Sequence, residues 1–342
     1  MLSNLIIRPE KLGDIVVSTP LFRAFKESFP DQQLHLLTDE KFADVLKYDP
    51  HIDKIITIPW KGRKRGQRPS FLHIRSILSS YSYEKAAVLY SGCEGWNWLC
   101  ASLGIKEVAQ LGGTKSALLF GHKMILRRDQ YAERHIRDWY LDVAKSLGAN
   151  SSDPNPEVLI RKEEVIHFKM RFPEYAKEAG RGVLLHLGGS PEGENVSICK
   201  FAEWVPEISS SLNMPVYLTG TPAEKKVWTT NHGSLGKQEL LGHLSIREMM
   251  VAVSLAGIVV CNSTGIIHIA SALGRPTLGL YTADPSNSSR VWGPLGKNSR
   301  CLYPTLEDFL RRRSEINSHD LVDLGDLIPV TEVISKLKEL TL

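Results

Sequence analysis

The sequence predicts an α/β protein of two doubly wound, Rossmann-like domains, and three observations carry that expectation. Short apolar runs alternate with amphipathic stretches through both halves of the chain. A polar, proline-punctuated connector interrupts the alternation near the middle. Residues 259–281 spell out a strand, turn, helix, strand unit with a glycine at the helix mouth. A chain of 342 residues also exceeds one ordinary core, so two domains of about 150 residues each are expected.

In the first half, Leu5 to Ile7, Gln33 to Leu37, Lys54 to Ile58, Ala86 to Tyr90 and Val108 to Leu111 read as strands, with amphipathic helices at 15–28, 39–47, 71–80 and 94–103 between them. Alternation of this kind implies a parallel sheet covered on both faces. A longer helix from Asp129 to Leu147 stops at Gly148, and Ala-Asn-Ser-Ser-Asp-Pro-Asn-Pro follows as the connector. The first domain is therefore expected over 1–155 and the second over 156–325. In the second, Val183 to Leu187, Pro215 to Thr219, Gly257 to Cys261 and Pro276 to Tyr281 read as strands, with helices at 200–212, 222–231, 245–255 and 266–273. The segment 326–342 has helical spacing at Val333, Ile334, Leu337 and Leu340.

Composition excludes several classes. At 42% hydrophobic and 23% charged the chain reads as globular, and no apolar run approaches the roughly 20 residues of a membrane helix. The N-terminus has no basic segment followed by an apolar signal core, so a cytoplasmic protein is expected. Cys93, Cys100, Cys199, Cys261 and Cys301 are odd in number and form no Cys-x-x-Cys pair, which argues against a disulfide framework and a zinc site. A net charge of +4 is too weak to demand nucleic acid. It is concentrated, however, in Lys61-Gly-Arg-Lys-Arg-Gly-Gln-Arg68, five cations in eight residues with no acid. That run reads either as a solvated face or, with Arg75, as a dock for anions. No aromatics are interleaved as a single-stranded nucleic-acid platform requires.

Two loops carry the chemistry. In the 259–281 unit, Asn262-Ser263-Thr264-Gly265 opens a helix whose first backbone N–H groups and dipole favour an anion, a phosphate above all. The same turn is also what any βαβ unit needs, and His268 either donates to a phosphate or packs behind the turn. Near the N-terminus a strand ends at Ile7, and a helix begins after Gly13 with Asp14 at or beside its N-cap. Asp14 either caps that helix or, at the carboxyl edge of the first sheet, projects toward an inter-domain cleft. Glu10 and Lys11 share this loop and read as solvated residues or acceptor contacts. A third loop, Gly188-Gly189-Ser190, follows the Val183 strand and offers close backbone approach and N–H donors, which ordinary turn chemistry also explains. Glu224, in a helix first turn, complements the dipole. Ser245 and Glu248 are spaced as a capping box, with Met249 beside them.

These motifs resemble glycosyltransferase family 9, the lipopolysaccharide heptosyltransferases. Asn262, Thr264, Gly265, His268, Gly274, Arg275 and Pro276 match one signature, and Gly13, Asp14, Pro20 and Leu21 match another. His135, Tyr140, Leu141, Leu147 and Gly148 match a family helix pattern and read as packing. The resemblance implies the GT-B architecture, two Rossmann-like domains facing across a cleft, with the last helix crossing back to the first domain. It implies an inverting, metal-independent transfer without a resident cofactor, from a nucleotide sugar, ADP-heptose, to a lipopolysaccharide core-type acceptor. Asp14 would be the general base, since an attacking hydroxyl must shed its proton. Gly188, Gly189, Ser190, Glu224, Asn262, Ser263, Thr264, Gly265 and His268 would hold the donor. Gly13, Lys11, Arg63, Lys64, Arg65 and Arg68 would meet an anionic glycolipid or oligosaccharide acceptor, with peripheral contact at the inner membrane surface.

Two positions depart from the family pattern on the donor side. Ser263 stands where the family has Asp, and Glu194 stands where it has the Lys that neutralises the donor diphosphate. Either Lys200 substitutes, or backbone donors carry the diphosphate, or the donor differs. The rivals are therefore a family member using another nucleotide sugar and a catalytically silent sugar-nucleotide-binding homologue. A nicotinamide dehydrogenase lacks support, because no Gly-x-Gly-x-x-Gly follows the first strand.

Overall fold

The computed structural model describes residues 2–60, 69–89, 94–125, 133–190, 193–317 and 320–341. The chain divides into two compact units, Met1–Val158 and Leu159–Leu342.

The first unit runs β1 (Leu2–Ile7), α1 (Leu12–Val17), α2 (Thr19–Ser28), β2 (Gln33–Asp39), α3 (Glu40–Ala43), β3 (Lys54–Ile58), α4 (Phe71–Leu78), β4 (Ser82–Val88), α5 (Glu94–Ser102), β5 (Glu107–Leu111), α6 (Lys115–Leu119), β6 (Lys123–Ile125) and α7 (Ile136–Ser146). The strands form one parallel sheet in the order β3-β2-β1-β4-β5-β6. Strands covered on both faces must be apolar throughout, and Leu5, Ile7, Leu37, Ile58, Ala86 and Val88 are accordingly buried together with Trp60, Trp96 and Leu99.

The connector belongs physically to this unit. Buried Arg23, on α2, donates to the carbonyls of Asp153 (2.7 Å) and Asn155 (3.3 Å) and pairs with Glu157. The Glu157 amide donates to Thr19 Oγ1 at 2.9 Å. These bonds carry the compact unit as far as Val158.

The second unit runs α8 (Lys162–Arg171), α9 (Pro173–Lys177), β7 (Val183–His186), α10 (Ile198–Leu212), β8 (Val216–Thr219), α11 (Pro222–His232), α12 (Ile246–Leu255), β9 (Ile258–Asn262), α13 (Gly265–Ala272), β10 (Thr277–Leu280), α14 (Ser289–Trp292), β11 (Ser299–Leu302), α15 (Leu306–Glu315) and α16 (Val330–Thr341). Its parallel sheet has the order β11-β10-β9-β7-β8. The core gathers Val183, Leu185, Phe201, Trp204, Val260 and Leu280.

The C-terminal helix α16 buries Val333, Ile334 and Leu337 in the second unit's core, against α10 and strands β9 to β11. A stripe at i, i+1 and i+4 finds its partners in the unit it ends.

In each sheet the chain reverses its direction of strand addition once, between β1 and β4 in the first unit and between β7 and β9 in the second. Open parallel sheets bind ligands beyond the carboxyl ends of their strands at such switch points. The turn after β1 leads into α1, whose first turn carries Asp14; the loop after β7 carries Gly188 to Ser190, and the turn after β9 carries Ser263 and Thr264 and opens α13 at Gly265. Both sets of candidate residues therefore sit where topology opens a crevice. Among the described residues no helix is long and apolar enough to cross a membrane, and Cys100, Cys199, Cys261 and Cys301 are free thiols.

Candidate functional site

In the first unit the chain leaves β1 at Ile7 and turns through Arg8 to Lys11 into α1. Lys11 occupies the helix N-cap position with φ +59° and makes no side-chain cap. A lysine in this left-handed region is uncommon, and such conformations persist where surrounding structure enforces them. Lys11 is exposed, and Gly13 is the second residue of α1.

Asp14 is not the cap that its position suggested. It is the third residue of α1, and its side chain is nearly buried at 5% exposure. The carboxylate is drawn to two partners. The Arg8 guanidinium makes an ion pair with Oδ1, and the Tyr140 hydroxyl of α7 donates to the same oxygen at 2.6 Å. Arg8 also donates to the Leu89 carbonyl just beyond β4, so it spans the switch point from the β1 side to the β4 side. The Asp14 carbonyl accepts from Ser18 Oγ at 2.7 Å, which fixes the backbone behind the carboxylate.

Glu10 is not merely solvated: its carboxylate accepts from Trp60 Nε1 at 2.9 Å, and Trp60 packs on Trp96 with ring centroids 5.2 Å apart. Arg75 is exposed, with Nη2 donating to the Ser102 carbonyl. The basic run with Arg63, Lys64, Arg65 and Arg68 lies outside the described residues.

In the second unit Asn262 ends β9 and is fully buried. Its Oδ1 accepts from the Val196 amide at 2.9 Å, and its Nδ2 donates to the carbonyls of Val196 (3.1 Å) and Gly188 (3.3 Å). The amide thus staples the glycine loop after β7 to the end of β9, across the switch point. Asn195 closes that loop from the other side. It accepts from the Ser190 amide at 3.2 Å and donates to the Ser190 carbonyl at 2.8 Å. The glycines are dictated by this packing: a Cβ at Gly188 would lie 2.5 Å from His186 Nε2, and one at Gly189 2.5 Å from Asn195 Cγ.

The α13 N-terminus is open. Thr264 adopts the extended N-cap conformation without a side-chain cap. The Ile267 amide bonds back to the Thr264 carbonyl at 3.3 Å, whereas the Gly265 and Ile266 amides meet no acceptor among the described residues. Two free amides at the positive end of a helix favour a negative charge. Ser263 lies half-buried at its mouth, and His268 is buried one turn inside α13.

Glu224 forms a capping box at the start of α11, its Oε2 accepting from the Thr221 amide at 2.6 Å. Ser245 and Glu248 form the expected capping box on α12, and Met249 is buried. Lys200 sits in an ion-pair cluster, with Nζ 3.1 Å from Glu203 and 3.3 Å from Asp326. Those hydrogen bonds raise its pKa and satisfy its charge. Glu194 is half-buried, and burial pushes its carboxyl pKa up despite a hydrogen bond from the Val322 amide and the positive charge of Arg313.

His186, which the sequence did not single out, ends β7 beside the glycine loop, with Nδ1 3.1 Å from Thr219 Oγ1. Burial lowers its pKa to about 4, the Glu224 charge opposing that shift. Because the folded pKa lies below the ordinary value near 6.5, the unfolded chain binds more protons between those two values. Stability is therefore complete above about pH 6.5 and falls as pH drops toward 4. His186 should account for about 2 kcal/mol of lost stability between pH 7 and pH 5. Urea unfolding at the two pH values should show a smaller loss in His186→Gln; an identical loss would assign the acid sensitivity elsewhere.

Two Rossmann-like units, each with its polar loops at a sheet's switch point, make up the GT-B fold class, and comparison with solved structures agrees. A glycosyltransferase family 9 structure from Veillonella parvula DSM 2008 superposes with a TM-score of 0.79 at 17% identity, over 99% of this chain and 97% of that one. The Escherichia coli ADP-heptose lipopolysaccharide heptosyltransferase II does so with 0.74 at 16% identity, over 99% and 98%. In sequence, lipopolysaccharide heptosyltransferase 1 of Campylobacter coli is 26% identical over 302 residues, which cover 82% of this chain and 84% of that protein. The signature of glycosyltransferase family 9 (heptosyltransferase) matches residues 129–317, more than half of the chain, and the protein belongs to that family.

Proposed function

We propose that the protein is an inverting glycosyltransferase that moves a heptose from ADP-heptose to a lipopolysaccharide core-type acceptor. The observation that carries this reading is the open pair of amides at Gly265 and Ile266, beside a glycine loop stapled to the same sheet edge by Asn262. The acceptor hydroxyl attacks the anomeric carbon and gives its proton to Asp14. The bond from that carbon to the diphosphate oxygen breaks, and the electron pair leaves with ADP. Charge then grows on the diphosphate, and pre-aligned donors at that point lower the barrier.

With Lys200 engaged by Glu203 and Asp326, and Glu194 in place of a cation, this reading assigns the diphosphate to backbone amides. The adenine nucleotide and the heptose follow from relatives named as ADP-heptose and lipopolysaccharide heptosyltransferases. On this reading the enzyme is cytoplasmic and meets its glycolipid acceptor peripherally at the inner membrane.

Glu194 favours a second reading, a family member with another nucleotide sugar, since a carboxyl there opposes a diphosphate held in the usual way. Thermal unfolding against a nucleotide panel separates the two. A ligand that binds only the folded state adds about 2.7 kcal/mol at a hundred times its Kd. ADP should raise the transition while UDP, GDP and CDP leave it unmoved, and stabilisation by UDP in place of ADP would transfer the assignment to the second reading. ADP release that stays at the no-acceptor rate with every lipopolysaccharide core tried would instead mark a silent binder.

A further inference from the structure

We propose that Arg8 and Tyr140 are positioning residues that hold Asp14 through one oxygen and leave the other for the acceptor proton. This rests on the reading of Asp14 as the base. Three buried side chains from separated segments converge here: Arg8 at 6% exposure, Asp14 at 5% and Tyr140 at 1%. Both contacts to the carboxylate fall on Oδ1, and no donor meets Oδ2 among the described residues. A guanidinium left to itself prefers to serve both oxygens of a carboxylate. Arg8 does otherwise: its Nη1 donates to the Leu89 carbonyl and its Nη2 pairs with Asp14 Oδ1 alone.

Its guanidinium also lies 5.3 Å from the centre of the Tyr140 ring, so tyrosine and arginine brace each other as well as the carboxylate. A base fixed at one oxygen loses the freedom to swing, and its remaining lone pairs point in one direction. A reacting group displaced by about 1 Å can forfeit about a hundredfold in rate. Tyr140 is therefore more than a packing residue of α7: its ring fills the core, and its hydroxyl aims the carboxylate.

The test is a double-mutant cycle on Tyr140→Phe and Asp14→Asn, read as ADP release from ADP-heptose with a lipopolysaccharide core acceptor. Tyr140→Phe removes one hydroxyl and should lower kcat about 10- to 30-fold, with both KM values within about twofold. In the Asp14→Asn background the same change should cost nothing further, because a residue that acts through Asp14 has nothing left to act on. Retained ADP stabilisation shows that each variant is folded. Additive losses would make Tyr140 a structural residue, and an unchanged kcat in Tyr140→Phe beside an inactive Asp14→Asn would overturn the positioning role alone. Near-normal turnover in Asp14→Asn would instead remove the base reading on which the proposal stands.

Discussion

Asp14→Asn is expected to lower the turnover of sugar transfer about a thousandfold while leaving ADP binding intact. The side chain keeps its size and can still accept from Tyr140, but an amide takes no proton from an attacking hydroxyl. The loss should fall on kcat and leave the KM for the donor near its normal value, since the proton is transferred only as the new bond forms. A second effect follows from Arg8. Neutralising the carboxylate removes the ion pair that Asp14 makes with this buried guanidinium, and breaking one partner of a buried pair costs about 3–5 kcal/mol. The variant should therefore melt earlier, and activity is measured well below that transition, with ADP stabilisation as proof of an intact second unit. Turnover within threefold of normal in a folded variant would end the assignment of Asp14 as base.

The double α/β alternation was legible because its strands are buried on both faces. Val183–His186 and Ile258–Asn262 are apolar runs that stop at glycine or at a small polar turn, and those turns are also where the chemistry lies. Elements that bury little left no pattern to read. Helix α8 buries only Phe168 among ten residues and α15 only Phe309, so both are mostly polar, while β6 is three residues long. The predicted strand from Ala86 to Tyr90 instead begins at Ser82, because Tyr83 and the stem of Lys85 are buried in an otherwise polar stretch.

The site was half legible. Spacing located Asp14, but the ends of its contacts lie 126 residues apart in sequence, and no local period connects Tyr140 to it. The helix match that contains Tyr140 could only be read as packing. Asn262 likewise announced a turn and gave no sign that its amide reaches back to Gly188 and Val196. His186 differs in kind: a histidine ending an apolar strand at a glycine loop was visible, and nothing marked it beyond that place.

Asn262→Ala should be the most destabilising single change at the donor edge. The wild-type amide satisfies the Val196 amide and the carbonyls of Val196 and Gly188, all in a buried setting. Truncation leaves these backbone groups unpaired, each at about 1–3 kcal/mol, so a total near 3 kcal/mol is expected once the loop relaxes. That relaxation also frees Gly188 to Ser190 from the end of β9, and ADP affinity should fall with it. Asn262→Asp sharpens the point. It keeps an acceptor for the Val196 amide but turns both donated bonds into a carboxylate oxygen facing two carbonyls, so it should rescue neither stability nor binding. Urea midpoints and calorimetric titration with ADP read the two effects separately. If Asn262→Asp matched the wild type in both, the amide would not be what holds the glycine loop to β9, and the donor site would need another anchor.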